Sequence, residues 1–281
     1  MESWIIYSTL AVLSTSILMA LQKVPSAKNI DKYEFNLLTY FFATLIAIPF
    51  LYNFVNFDKV TILYAVVWGT GFTVLNLIQM HALEKNDTSG VFPFTSLLSN
   101  IFVVVGGVLF LNENISLLQF IAVLLAFTVV AISSYKTKVS LIANVLPLFF
   151  AIALLSTFNK FVQKFGAVHT ELYNFIFWQL FFSFLSSLLL ISYKKKFFLI
   201  KTANSKLFVW SLFSAIPAFT TTLLIIKALS TGPISLVYII IGTYTFFTSL
   251  IASIFFGEKL TIKKVSFIIL SILIIILIKI G

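Results

Sequence analysis

The sequence predicts an all-α integral membrane fold, ten transmembrane helices arranged as two inverted five-helix repeats, and three observations predict it. The first is composition: of 281 residues, 60% are hydrophobic and 10% charged, with a mean hydropathy of +1.08. A soluble domain of this length needs about a quarter of its residues charged to cover its surface, so here the bilayer must do the covering. The second is a series of apolar runs, each about 20 residues long and therefore able to cross a membrane. The third is that the series repeats at its midpoint.

Breaks at charges, prolines and glycines delimit the runs. Span one, 4–22, ends at Lys23; Glu2 stands where a signal peptide would be basic and no small-residue cleavage site follows, so it reads as a retained span. Span two, 34–53, follows Asp31 and Lys32, and span three, 60–83, lies between Asp58-Lys59 and Glu84-Lys85. Spans four and five, 89–111 and 115–135, are separated by Asn112-Glu113-Asn114. Span six, 140–165, stops before Gly166, and span seven, 171–193, stops at the Lys194–Lys196 run. Spans eight, nine and ten occupy 206–229, 234–256 and 261–280, with Gly232-Pro233 and Gly257-Glu258 in the two turns. The connections are short, and no extramembrane domain remains.

The repeat is visible in the residues. ALEKNDTSGVFPFTSLLSNIFVVVGGVLFLNENIS (82–116) matches ALSTGPISLVYIIIGTYTFFTSLIASIFFGEKLT (228–261) with one gap, and Glu113 and Glu258 close the two spans at the same offset. Earlier in each half, STSILMALQK (14–23) matches STFNKFVQK (156–164), and YEF (33–35) corresponds to TEL (170–172). The unit is five spans, present as residues 1–138 and 139–281. An odd number of spans forces the second copy to insert upside down relative to the first, which is an architecture of secondary transporters.

These residues resemble the EamA-like branch of the drug/metabolite transporter superfamily. The likeness is carried by the Ala-Leu turn into spans four and nine, by the closing GEKLT at Gly257–Thr261 with its degenerate partner NENIS at Asn112–Ser116, and by Lys23 at the end of span one. It covers essentially the whole chain. The resemblance implies a ten-helix carrier that moves a small organic solute by alternating access. The chain departs from the branch where a mid-helix proline is common in spans four and nine: Asn100 and Thr245 stand near those positions. Tyr40-Phe41 stand in span two, where an early arginine is common.

Other functions lose support residue by residue. The net charge of +10 comes from lysines in short groups between apolar runs, so it sets membrane orientation and implies no nucleic-acid face. The chain has no cysteine, no nucleotide-binding loop and no zinc motif, so no cofactor or metal is implied. His81 and His169 lie in different halves with no carboxylate cluster between them, which argues against an enzyme. No carboxylate lies near the middle of a span, which disfavours a proton-driven multidrug antiporter and leaves facilitated export or exchange. A lipid-handling protein would not need the repeat.

Polar residues inside spans are the candidate substrate-binding residues, because each is costly in lipid and needs a partner. Trp68, Phe72, Asn76 and Gln79 form a stripe on span three that is either pocket wall or interhelical glue. Span four offers Asn100 with Ser96, and span nine offers Tyr244, with Tyr238, Gly242 and Thr245 on another face. Asn174 and Trp178 continue a face of span seven that begins at Glu171, whose carboxylate is placed to pair with Lys164. Thr157, Lys160 and Lys164 share a face of span six: Lys160 either snorkels to the headgroups or faces a cavity and attracts a carboxylate. Pro217 with Thr220–Thr222 on span eight predicts a kink whose freed carbonyl the threonines satisfy.

The expected partners are the lipid bilayer and a small-molecule substrate, with an amino acid or similar amphipathic solute first and a quaternary amine as the alternative; a homodimer is left open. Fourteen of the nineteen lysines fall on the side opposite both termini, which by the positive-inside rule puts the termini outside a bacterial-type cytoplasmic membrane, whereas the family resemblance implies both termini inside.

Overall fold

The computed structural model describes residues 3–84, 88–134, 139–193, 205–257 and 262–281. In chain order its helices are α1 (Ser3–Leu21), α2 (Val24–Lys28), α3 (Lys32–Leu51), α4 (Lys59–Leu83), α5 (Thr88–Leu111), α6 (Leu117–Ser134), α7 (Val139–His169), α8 (Leu172–Tyr193), α9 (Ser205–Thr231), α10 (Ile234–Gly242), α11 (Tyr244–Phe256) and α12 (Ile262–Ile280). The ten predicted spans are all helical, span one extending through α2 and span nine being two helices, α10 and α11. Six of these segments are long and apolar enough to cross a membrane, and shorter apolar stretches lie in α5, α6 and α12.

The acids that delimit the runs in the sequence do so as caps. The Asp31 carboxylate accepts from the Tyr33 and Glu34 N–H groups at the start of α3, and Asp58 accepts from Thr61 N–H at the start of α4. Such caps satisfy donors that a helix leaves unpaired in its first turn. Glu171 does the same for α8, accepting from Tyr173 N–H at 3.1 Å and from Asn174 N–H. Its carboxylate is therefore spent on the helix end, and the pairing with Lys164 expected from the sequence does not form. Lys164 donates instead to the Leu229 and Gly232 carbonyls, at 2.8 and 2.9 Å, where α9 ends.

The extensive helix contacts join opposite halves, and they come in pairs related by a pseudo-two-fold axis in the membrane plane. Helix α1 packs on α9 as α7 packs on α4, and α3 packs on α9 as α8 packs on α4. Likewise α1 meets α10 and α11 as α7 meets α5, while α3–α8, α5–α10 and α6–α12 meet across the axis itself. The largest apolar core draws from both halves, from Trp4 and Val12 through Phe175 to Ile240 and Ile278. Small residues permit the closest of these contacts. A Cβ on Gly69 of α4 would lie 2.9 Å from the Phe182 backbone of α8. Large apolar side chains such as Leu13, Phe110, Phe213 and Ile269 point outward, where lipid replaces a protein partner.

Two features differ from the sequence expectation. Span nine is broken at Thr243, although no proline stands there. Its freed backbone is met locally: Thr243 N–H and Oγ1 both donate to the Ile240 carbonyl, at 3.1 and 2.7 Å, and Thr245 Oγ1 donates to the Gly242 carbonyl. In α9 the threonines do not serve Pro217 as expected. Thr220 and Thr222 donate to the Ile216 and Ala218 carbonyls, one turn before each of them, while Thr221 donates to Ser14 of α1 at 2.9 Å. Thr221, and Thr220 through a 2.6 Å contact with the same Ser14 hydroxyl, thus tie α9 to α1, and none of the threonines bonds the Phe213 carbonyl that Pro217 leaves free.

Glu113 closes the turn between α9 and α10 from the other side. Its carboxylate accepts from Ile234 N–H and, at 3.0 Å, from Ser235 N–H. Replacing it removes a charged cap, worth about 1–2 kcal/mol. Glu113→Ala is therefore expected to lower the thermal midpoint of the purified protein by several degrees, whereas Glu171→Ala, which uncaps a more exposed helix end, lowers it less.

At the opposite face Lys32 donates to Glu84 at 2.6 Å, and His81 Nδ1 lies 2.8 Å from the same carboxylate. The hydrogen bond from Lys32 holds the Glu84 carboxyl below its ordinary value of 4.5. A carboxyl lowered in the folded state stabilises fully above its unfolded value and loses that contribution as pH falls through the folded one. The thermal midpoint of the wild type should therefore exceed that of Glu84→Gln by a small margin at neutral pH, and the margin should shrink as pH falls below the ordinary carboxyl value and vanish below the lowered one. A margin independent of pH would show that the pair contributes nothing electrostatic.

Candidate functional site

A cavity of about 110 Å³ lies where α1, α4, α5, α7, α9, α10 and α11 converge, so both halves line it. One wall is apolar and aromatic. Trp68 and Phe72 of α4 stack with ring centroids 4.4 Å apart, and Leu18, Leu75 and Ile225 continue the surface. The facing wall is polar and is built around Lys160 of α7. Its ammonium donates to Ser99 Oγ and to Asn100 Oδ1 of α5, each at 2.7 Å, and stands 4.9 Å above the Tyr238 ring of α10. Tyr238 donates in turn to Gln163 Oε1 at 2.7 Å. The lysine, the amides and the ring form one connected chain across three helices.

The break in α10–α11 reaches this wall. Gly242, the last residue of α10, lies so close to Asn100 that a Cβ there would collide with the amide nitrogen. The absence of a side chain lets the broken helix approach α5 and keeps Asn100 turned toward Lys160. Tyr244 begins α11 and lines the cavity beside them. Irregular backbone at membrane depth is tolerated where it lines a cavity, and that is where this break sits.

Of the residues the sequence singled out, Trp68, Gln79, Asn100, Lys160 and Tyr244 line the cavity. Lys160 turns inward and does not snorkel. Asn76 lies elsewhere: it accepts from Gln22 Nε2 at 2.9 Å and donates to the Tyr40 hydroxyl at 2.8 Å, joining α1, α3 and α4. Asn174 and Trp178 are also removed from it. They hold the connection after α3, Asn174 through reciprocal bonds with Asn56 and Trp178 through its indole N–H on the Asn56 carbonyl at 2.9 Å. His81 sits at a helix end in the exposed group with Lys32 and Glu84. Thr15, Asn159 and Gln163, which the sequence pattern does not single out, also line the cavity.

An α-helical bundle of two interlocked inverted halves, enclosing a polar cavity beside a broken helix, defines the class of polytopic membrane transporters. Within that class the chain belongs to the EamA-like transporter family, whose model matches it twice, over residues 2–135 and 143–280. No curated protein matches the sequence. A solved crystal structure of a protein superposes with a TM-score of 0.70 over 97% of this chain and 97% of that one, at 11% identity, which shows a shared fold.

The two groups of polar residues should separate experimentally. Asn76→Ala leaves Gln22 and Tyr40 without a buried partner, a loss of about 1–3 kcal/mol. It is expected to lower the thermal midpoint without altering which solutes stabilise the protein, whereas Gly242→Ala, which displaces Asn100, should change ligand stabilisation at least as much as it changes the midpoint.

Proposed function

We propose that this protein carries a small amphipathic organic metabolite across a bacterial-type cytoplasmic membrane by alternating access, as an exporter or exchanger, and that a carboxylate-bearing solute is its cargo. The observation that carries the reading is the central cavity between the inverted halves, with Lys160 directed into it among amides and aromatic rings. Apolar walls with a few placed polar groups suit a small amphipathic ligand. A quaternary amine would suit the aromatic wall but meets an ammonium on the facing one, so the efflux of cationic drugs is the poorer fit.

The chain has no cysteine, which makes the mechanism directly testable. A single cysteine at Thr222, a cavity position, should be labelled by a membrane-impermeant thiol reagent from either side of oriented membranes, in proportions that a bound solute changes. Labelling from one side only, whatever solute is added, would sink alternating access. A cysteine at the outward-facing Leu13 should react from neither side.

A further inference from the structure

Resting on the transport reading, the geometry points to a cavity selective for solutes of net single negative charge, which reads a carboxylate at Lys160 and a neutral hydrogen-bonding group at Asn159. The first observation is charge. Among the described residues lining the cavity, Lys160 is the one that is charged, and none is an aspartate or glutamate. Its two bonds go to neutral oxygens, Ser99 Oγ and Asn100 Oδ1. An ammonium carries three N–H donors, so one remains for a ligand oxygen. A charge at membrane depth is costly unless a counter-charge answers it, and no described residue lining the cavity supplies one. A monoanion leaves the occupied cavity neutral, a zwitterion leaves its charge unrelieved, and a cation adds like charge to like. The ammonium of a zwitterion would find only the amide oxygens of residues such as Gln79 and Gln163 to accept it, bonds weaker than those a carboxylate would give.

The second observation is independent of the first. Asn159 lines the same cavity, is only 3% exposed, and neither its amide oxygen nor its amide nitrogen has a hydrogen-bond partner. Thr15 Oγ1, 4% exposed on the same cavity, is also without one. Buried polar groups are paired in the great majority of cases, and one that is not calls for an explanation, which an occupant of the cavity would supply at Asn159. A primary amide offers one acceptor and one donor, which a hydroxyl or a carboxamide satisfies together and a methyl group cannot. The Asn159 amide lies against Gly71 of α4, so closely that any Cβ there would collide with it.

The test uses the detergent-purified full chain and a set of ligands that share one benzene ring: phenylacetate, mandelate, 4-hydroxyphenylacetate, phenylalanine and phenyltrimethylammonium. Binding is read from thermal stabilisation against concentration. Phenylacetate is expected to bind at least tenfold more tightly than phenylalanine, with no stabilisation by the quaternary amine. Lys160→Gln should abolish the anion's effect and Lys160→Arg should retain it. One of the two hydroxylated acids should bind several-fold more tightly than phenylacetate, and Asn159→Leu should erase that gain alone. Equal or tighter binding of phenylalanine or the amine, survival of the phenylacetate effect in Lys160→Gln, or no binding by any ligand would each overturn the anion selectivity. A hydroxyl that adds nothing, or whose gain survives Asn159→Leu, would overturn the role of Asn159. The two-sided labelling of a cysteine at Thr222 stands apart from all of these, so a failure of the selectivity alone is distinguishable from a failure of the transport reading.

Discussion

Hydrocarbon offers no hydrogen bonds, and that constraint orders the rest of this structure. Each backbone N–H and C=O within the membrane must find its partner inside the protein, which leaves helices as the only spanning elements of this chain. Where a helix stops at depth, something must answer for its open ends. At Thr243 the answer is local, two threonine hydroxyls folding back on the chain they follow. At the α9–α10 turn it is supplied from elsewhere: Glu113 accepts from the first N–H groups of α10, and Lys164 donates to the last carbonyls of α9. The charges match the helix ends they meet, negative at an N-terminus and positive at a C-terminus. The turn is thus gripped by α7, which also borders the cavity, and by the connection after α5. Movement of that turn during transport would have to release both.

The inverted repeat follows from the same constraint combined with economy of packing. A five-helix unit has apolar faces on all sides, and lipid is as good a solvent for them as another helix is. What favours association is close approach and the pairing of polar groups, and both appear at contacts between halves. Gly69 lets α4 settle on the backbone of α8, while Ser14 and Thr221 bond across α1 and α9. Contacts within each half are sparser than those between them. The cavity is the place where this interlocking fails to close, and one of its walls is the bonded chain of Asn100, Lys160, Tyr238 and Gln163.

The fold was legible because its signals are long and redundant. Ten apolar runs and two acids at the same offset, Glu113 and Glu258, are hard to produce by accident, and the family match over both halves agrees with them. The site was less legible because a helix turns by about 100° per residue, so neighbouring polar residues serve different surfaces. On α4 the cavity takes Trp68, Phe72, Leu75 and Gln79, and Asn76, about 80° round from Trp68, faces α1 and α3. On α7 the sequence reading drew its stripe through the lysines, Thr157–Lys160–Lys164. The cavity stripe is Ile152, Ser156, Asn159 and Gln163, and Lys160 stands at its margin. Asn159 and Gln163 carried the signal of an amide in a span and were passed over because the lysines beside them were more conspicuous. Asn174 and Trp178 could not have been sorted from sequence, since their partner, Asn56, belongs to a connection 118 and 122 residues away.

Two amides, one at Asn76 and one at Asn159, show what distinguishes glue from recognition. Both are buried, both lie on helices that border the cavity, and a sequence cannot rank them. Asn76 spends its oxygen on Gln22 and its nitrogen on Tyr40, so its hydrogen-bonding capacity is consumed by the protein. Asn159 spends neither. An unmet amide in a membrane interior costs a folded protein stability, and a sequence that retains one in the wall of a cavity holds that capacity for something else. The same reasoning applies to Lys160, whose bonds to Ser99 and Asn100 position the ammonium without neutralising it. In the reading proposed above, the recognition groups are those that both line the cavity and keep unspent capacity, Lys160 and Asn159 on α7 with Thr15 on α1.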